Sequence, residues 1–188
     1  MEKMNKLRLY EMIGVGVVLI ISFVFTAVLS NVGINYPAGG LIVESNVSLF
    51  QIALYMFISI ILYSAFEYAV LGDKYRNFIF AKSATAIAGP FLFLFLTYFF
   101  SSITRYTDNS LYVATFFIAI SLAQLLSYYF LREGYYFKLM NAYGIFSVIL
   151  ILMIFYVYSA NRIFMSPIFQ PLDVYERTIY KGTPFMPR

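Results

Sequence analysis

Five stretches of this sequence are long and apolar enough to cross a lipid bilayer, and that repetition constrains the fold more than any other feature. A spanning helix needs about 20 mostly apolar residues. The stretches run from Met12 to Leu29, Leu49 to Leu71, Phe78 to Ile103, Ser110 to Leu131 and Leu139 to Ala160. Inside lipid, every backbone polar group has to be bonded within its own segment, so such runs are helices. Composition agrees: hydrophobic residues make up 62% of the 188-residue chain and charged residues only 12%. Soluble domains are about half apolar and a quarter charged, and the mean hydropathy of +0.79 is that of a membrane protein. The expected fold class is all-α integral membrane, a bundle of five transmembrane helices over residues 1–163. A polar, proline-containing tail follows over residues 164–188.

Basic residues set the expected threading. Lys3, Lys6 and Arg8 precede the first stretch, Lys74 and Arg76 follow the second, and Arg132 and Lys138 follow the fourth. The two intervening loops hold only Arg105 between them. Positive residues mark the cytoplasmic side, so the N-terminus is expected inside and the C-terminus outside, in the plasma membrane of a prokaryote. The first stretch resembles a signal peptide in its basic flank. It is long for that, however, and Ala27-Val28-Leu29 lacks the small-x-small cleavage pattern, so it reads as a retained helix. An odd number of spans without an internal repeat argues against an inverted-repeat transporter.

Missing residue types exclude much chemistry. The chain has no Cys and no His. Disulfides, thiolate nucleophiles, Ser-His-Asp and Cys-His mechanisms, and covalent haem are therefore excluded. The commonest zinc and copper ligands are missing too. No phosphate-binding loop or paired-carboxylate motif is present. No cofactor, no metal and no catalytic residue is expected, and the chain reads as a non-enzyme. The net charge of +4 belongs to topology rather than to nucleic acid, because no basic patch is interleaved with aromatics.

Charges inside a span are costly and point to function by default. Glu67 lies near the end of the second stretch and Lys82 near the start of the third, about equally far from the connecting turn. In an antiparallel hairpin they reach similar depth, some 6–10 Å in at 1.5 Å per residue, and can pair across the helices. Two readings follow: a structural pair that fixes the hairpin, with Lys82 snorkelling as a variant, or a proton or cation site with Glu67 exchangeable. Ser121, Gln124, Ser127 and Tyr128 share one face of the fourth helix, as interhelical glue or as a pocket wall. Gly89-Pro90 is expected to kink the third helix and to free the carbonyl near Ala86, with Ser83, Thr85 or a neighbouring helix as the candidate partner. Ala84, Ala86, Ala88 and Gly89, and Gly14-Val15-Gly16 in the first helix, offer surfaces for close approach. The outer loop from Ser30 to Ser48 carries Glu44 and a formal glycosylation sequon, Asn46-Val47-Ser48. The tyrosines at helix ends read as an interfacial belt.

Several pieces resemble a domain-of-unknown-function family of small five-helix membrane proteins from Gram-positive bacteria. They are Leu9-Tyr10-Glu11-Met12-Ile13-Gly14, Phe66-Glu67-Tyr68, Asn77-Phe78-Ile79-Phe80-Ala81-Lys82, Gln124 with Ser127-Tyr128, and Pro167-Ile168-Phe169-Gln170. The family carries the signature Asn-Glu-Ser-x-Trp-Glu-His-x-Lys entering its second helix. Here only Asn46 and Ser48 match it, while Val47, Gln51, Ile52 and Leu54 replace the acids, the His and the Lys. The resemblance implies the fold, marks this chain as a divergent member, and leaves activity open. The functional expectation is a non-enzymatic accessory subunit of a membrane assembly, or a small binder of lipid or solute. The alternative is an ion- or proton-coupled permease using Glu67, Lys82 and the Gln124 face. The implied partners are the lipid bilayer and a membrane protein or a second copy of the chain, with no nucleic acid.

Overall fold

The computed structural model describes residues 2–31, 49–104, 109–134, 136–137 and 139–160. They form five helices: α1 (Glu2–Asn31), α2 (Leu49–Leu71), α3 (Phe78–Thr104), α4 (Asn109–Glu133) and α5 (Met140–Ala160). A 3₁₀ turn, Gly72–Lys74, joins α2 to α3. All five helices are long and apolar enough to cross a membrane. Glu44, Asn46, Ser48 and the tail over 164–188 lie outside the described residues.

One helix departs from expectation at its start. Helix α1 begins at Glu2 rather than Met12, and its spanning part is Asn5–Val28. The apolar-run criterion stopped at Glu11, yet Glu11 is buried within the bundle. A carboxylate that meets its counter-charge inside a bundle does not end a span.

Helices α1 to α4 pack as a ring. Helix α1 lies against α2 and α4, α3 lies against the same two, and α5 leans on the outside of α3. Helix α2 is the most enclosed, burying Ala53, Met56, Phe57, Ile60 and Tyr63 among its neighbours. Helix α5 turns Phe146, Met153 and Tyr156 outward and sends Phe155 inward between Phe50 and Phe57, with ring centroids 4.9 and 5.5 Å away. Since lipid tails are as apolar as leucine, burial alone does not hold such helices together; close packing and interhelical hydrogen bonds do. Ser22 donates to Ser59 at 2.9 Å, joining α1 to α2, and the Thr97 and Thr115 hydroxyls meet at 3.0 Å, joining α3 to α4.

The ends of α3, α4 and α5 are tied by amides. Asn77, in the turn before α3, donates to the carbonyl of Phe130 at 2.6 Å. Asn141 accepts from the backbone N–H of Phe80 at 3.2 Å, satisfying a donor that the first turn of α3 leaves open. Its amide nitrogen donates to the Arg76 carbonyl at 2.7 Å. Gly134 ends α4 at φ +67°, the left-handed position that glycine adopts without strain.

Helix α3 runs unbroken through Gly89 and Pro90. The two hydroxyls considered for the Ala86 carbonyl are engaged elsewhere: Ser83 donates to Ile79 and Thr85 to Ala81. The role of Gly89 is contact with α2, since a Cβ there would stand 2.9 Å from Ile60 Cδ1 and 3.3 Å from Met56 Sδ. Gly16, expected to serve close approach, has nothing within 4 Å of an added Cβ, whereas Gly144 would meet the Phe80 backbone at 3.0 Å and Ser83 Oγ at 2.9 Å. Gly144→Ala is therefore expected to loosen α5 from α3 and to destabilise by about 1–3 kcal/mol, the usual cost of overpacking. Gly16→Ala serves as the neutral control, and thermal unfolding in detergent micelles compares the two.

Candidate functional site

The helical repeat stacks the inner faces of α1 to α4 in layers one turn apart, about 5.4 Å. The layer nearest the α2–α3 turn is apolar: Leu7, Leu71, Phe78, Ala81 and Leu131 cluster there, with Tyr10, Tyr75 and Tyr128 packed around them. Burial pushes the Tyr75 hydroxyl above the usual phenol range, with Tyr128 and Glu11 adding to the shift, so it stays neutral. One turn further in come Glu11, Glu67, Lys82 and Ser127, one residue from each helix of the ring, all buried. The next layer holds Gly14, Tyr63, Thr85 and Gln124. Beyond it lies the large apolar cluster that includes Val18, Met56, Ile60 and Ile120. The charged layer is thus closed by apolar packing on the side of the turn and by the polar layer of Tyr63, Thr85 and Gln124 on the other, with the apolar cluster one layer beyond.

Lys82 is the hub. Its ammonium donates to Glu11 Oε1 at 2.8 Å and meets Glu67 Oε2 in a second ion pair. It also stands 5.7 Å from the centre of the Phe78 ring, a cation–π contact. Ser127 donates to the same Glu11 Oε1 at 2.7 Å. Glu67 touches the ammonium as a charge contact rather than an aligned hydrogen bond, and Glu11 Oε2 and Glu67 Oε1 have no hydrogen-bond partner. Among the described residues, Lys82 is the only cation paired with either carboxylate. With both carboxylates ionised, one ammonium would leave one unit of negative charge unbalanced in the interior.

Glu67 and Lys82 meet as their equal distance from the turn implies. Glu11 is the member of the centre that sequence reasoning misses, because it sits beside a basic flank and ahead of the apolar run. Its signal was phase: Leu7, Glu11, Gly14, Val18 and Ser22 fall on one helical face, and all five are buried.

The face of α4 divides. Ser127 joins the centre, and Gln124 stands one turn deeper over Gly14, with its Nε2 2.9 Å from the place of a Gly14 Cβ. Neither amide atom of Gln124 has a partner. Ser121 and Tyr128 do not join. The Ser121 hydroxyl donates to the Phe117 carbonyl of its own helix at 2.7 Å, a bond that satisfies it locally. Tyr128 packs with the outer apolar layer. Tyr63 crosses from α2 to donate to the Tyr10 carbonyl on α1 at 2.6 Å.

On the other side of Lys82 lies a groove of about 300 Å³ between α2 and α5, floored by α3. Ile61, Tyr68, Phe78, Ala86 and Val148 line it, with Lys82 at its floor. Its exposed rim, which includes Tyr68, Ile145 and Ile149, belongs to the lipid-facing surface. Among the described residues, no three of His, Cys, Asp and Glu gather into a metal-ligand group.

The chain matches no family model, no curated protein and no solved structure. Its helices define the architecture of an all-helical, multi-pass membrane protein: by length and composition, each of the five is able to cross a membrane.

The charge count orders the effects of substitution. Lys82→Met leaves two buried carboxylates without a counter-charge and is expected to cost about 3–5 kcal/mol. Glu67→Gln leaves one carboxylate against one ammonium and costs far less. Urea or thermal denaturation in bicelles, run on both variants, checks the order.

Proposed function

We propose that this protein is a small proton-coupled membrane carrier rather than an enzyme, and that it takes up and releases one proton at the Glu11–Lys82–Glu67 centre. The observation that carries this reading is the one-charge excess of carboxylate over ammonium. A net charge at depth in a membrane costs about 2.5–3.5 kcal/mol even on the most lenient scale. A proton on one carboxylate removes that charge, and its departure restores it. A site that is neutral with the proton and charged without it can couple proton binding to a change of packing, because burial in a membrane disfavours the charged form. The titratable groups around the centre are Tyr10 from α1, Tyr63 from α2, Tyr75 from the turn and Tyr128 from α4.

The proposal includes the threading read from the basic loops, with the N-terminus cytoplasmic, the C-terminus outside and the charged layer near the cytoplasmic face of a prokaryotic plasma membrane. It also includes membership of the five-helix family, since Glu11, Glu67, Lys82, Gln124 and Ser127 all fall within the stretches that carry the resemblance. A ring of four helices around a buried centre has little room for a solute path, so the carrier works as a homo-oligomer or with a membrane protein partner. The groove beside Lys82 favours a second reading, a lipid- or solute-binding accessory subunit, in which the charged layer only braces the groove.

Flux separates the two. In proteoliposomes carrying a pH gradient, the wild-type chain is expected to pass protons, while Glu67→Gln stays folded and loses that flux at least tenfold. Full flux in a folded Glu67→Gln variant would reject the carrier reading and leave the accessory subunit.

A further inference from the structure

We propose that Glu11, Glu67 and Gln124 form a binding site for a small, dehydrated monovalent cation of the sodium or lithium class, which replaces the proton at the centre. The inference rests on the carrier reading and names a second ion for the same site.

Three observations meet here. The first is the charge: two carboxylates and one ammonium call for one further positive charge and no more. A divalent ion would overshoot by one unit. The second is the donor set. Glu11 Oε2, Glu67 Oε1 and Gln124 Oε1 are buried oxygens without a hydrogen-bond partner, and they come from α1, α2 and α4. Unpartnered buried acceptors are rare and costly. Oxygen-only donors suit hard cations, and with no Cys or His in the chain, softer metals lack their usual ligands.

The third observation is Gln124 itself. It is 2% exposed, and both amide atoms are unsatisfied. An apolar side chain of that shape would fill the same space with no such penalty. The amide reaches α1 only because position 14 is glycine: a Cβ there would stand 2.9 Å from Gln124 Nε2 and 2.6 Å from the Tyr63 ring. Gly14 is one turn from Glu11, and Gln124 is one turn from Ser127, which already holds Glu11. The terminal torsion of glutamine is soft, so its carbonyl turns toward Glu11 Oε2 without moving the helix. In that arrangement the cation draws on two carboxylates and one amide, and the ammonium stays in place on the remaining oxygens. Total charge is then zero, as it is with the proton, so the two ions exclude each other.

The test uses the full chain in detergent micelles, titrated with lithium, sodium or potassium chloride against choline chloride. The expected result is a rise in the thermal midpoint with sodium or lithium but not choline. In weakly buffered solution, about one proton should be released per chain as the ion binds. Apparent affinity for the ion should weaken by up to about tenfold for each unit fall in pH, the signature of competition with one proton. Gln124→Met is expected to abolish both the cation-dependent stabilisation and the proton release. Ser121→Ala is expected to change neither. If Gln124→Met does not fold, proton release from the wild-type chain decides the matter alone. Proton flux without sodium- or lithium-dependent stabilisation or proton release would overturn the cation site and leave the carrier standing. Loss of all three would overturn both.

Discussion

Everything in this bundle is arranged around one ammonium. Lys82 enters from α3 and is held by Glu11 from α1 and Glu67 from α2, while Ser127 from α4 bonds the Glu11 oxygen that Lys82 also holds. Each helix of the ring thus contributes one polar side chain to a single layer. In a membrane, where apolar burial does not distinguish the folded helices from separated ones, such a layer sets which helices are neighbours and at what height they meet. The two flanking layers follow from it. Leu7, Leu71, Phe78 and Leu131 close the side toward the turn, and the cluster around Val18, Met56 and Ile60 closes the other beyond the polar layer of Tyr63, Thr85 and Gln124.

The layer is unbalanced, and the imbalance is what distinguishes a working centre from a brace. A one-to-one pair of Glu67 and Lys82 would fix the α2–α3 hairpin and need nothing more. The second carboxylate on α1 tightens the ring but adds a charge that the protein does not itself neutralise. Gln124 adds a further unmet demand one turn away. These features sit among fully buried side chains, where unmet polar groups cost most. Helix α5, by contrast, adds no side chain to the layer and is held through Asn141, Gly144 and Phe155.

Much of this was legible in the residues. The five spans follow from length and apolarity, and the meeting of Glu67 with Lys82 follows from counting outward from the turn. Ser127 and Gln124 were legible as one face of α4. Glu11 was not, because the apolar run begins after it and basic residues precede it. Only its phase with Leu7, Gly14 and Val18 marks it as interior. Ser121 erred in the other direction: it has the spacing of the polar face, but its hydroxyl returns to Phe117 of its own helix. Which helices neighbour which was invisible, since near-continuous apolarity leaves no stripe to point toward a partner.

The central claim is that the interior holds one carboxylate more than it can pair, and that a proton resides on it. Infrared difference spectroscopy of the protein in lipid, with hydrogen–deuterium exchange, reads this directly. The account predicts one carbonyl band of a protonated, buried carboxyl at neutral pH, shifted by deuterium and absent from Glu67→Gln, where the remaining Glu11–Lys82 pair is balanced. A wild-type spectrum with both carboxylates ionised and no such band, in the absence of alkali cations, would contradict it.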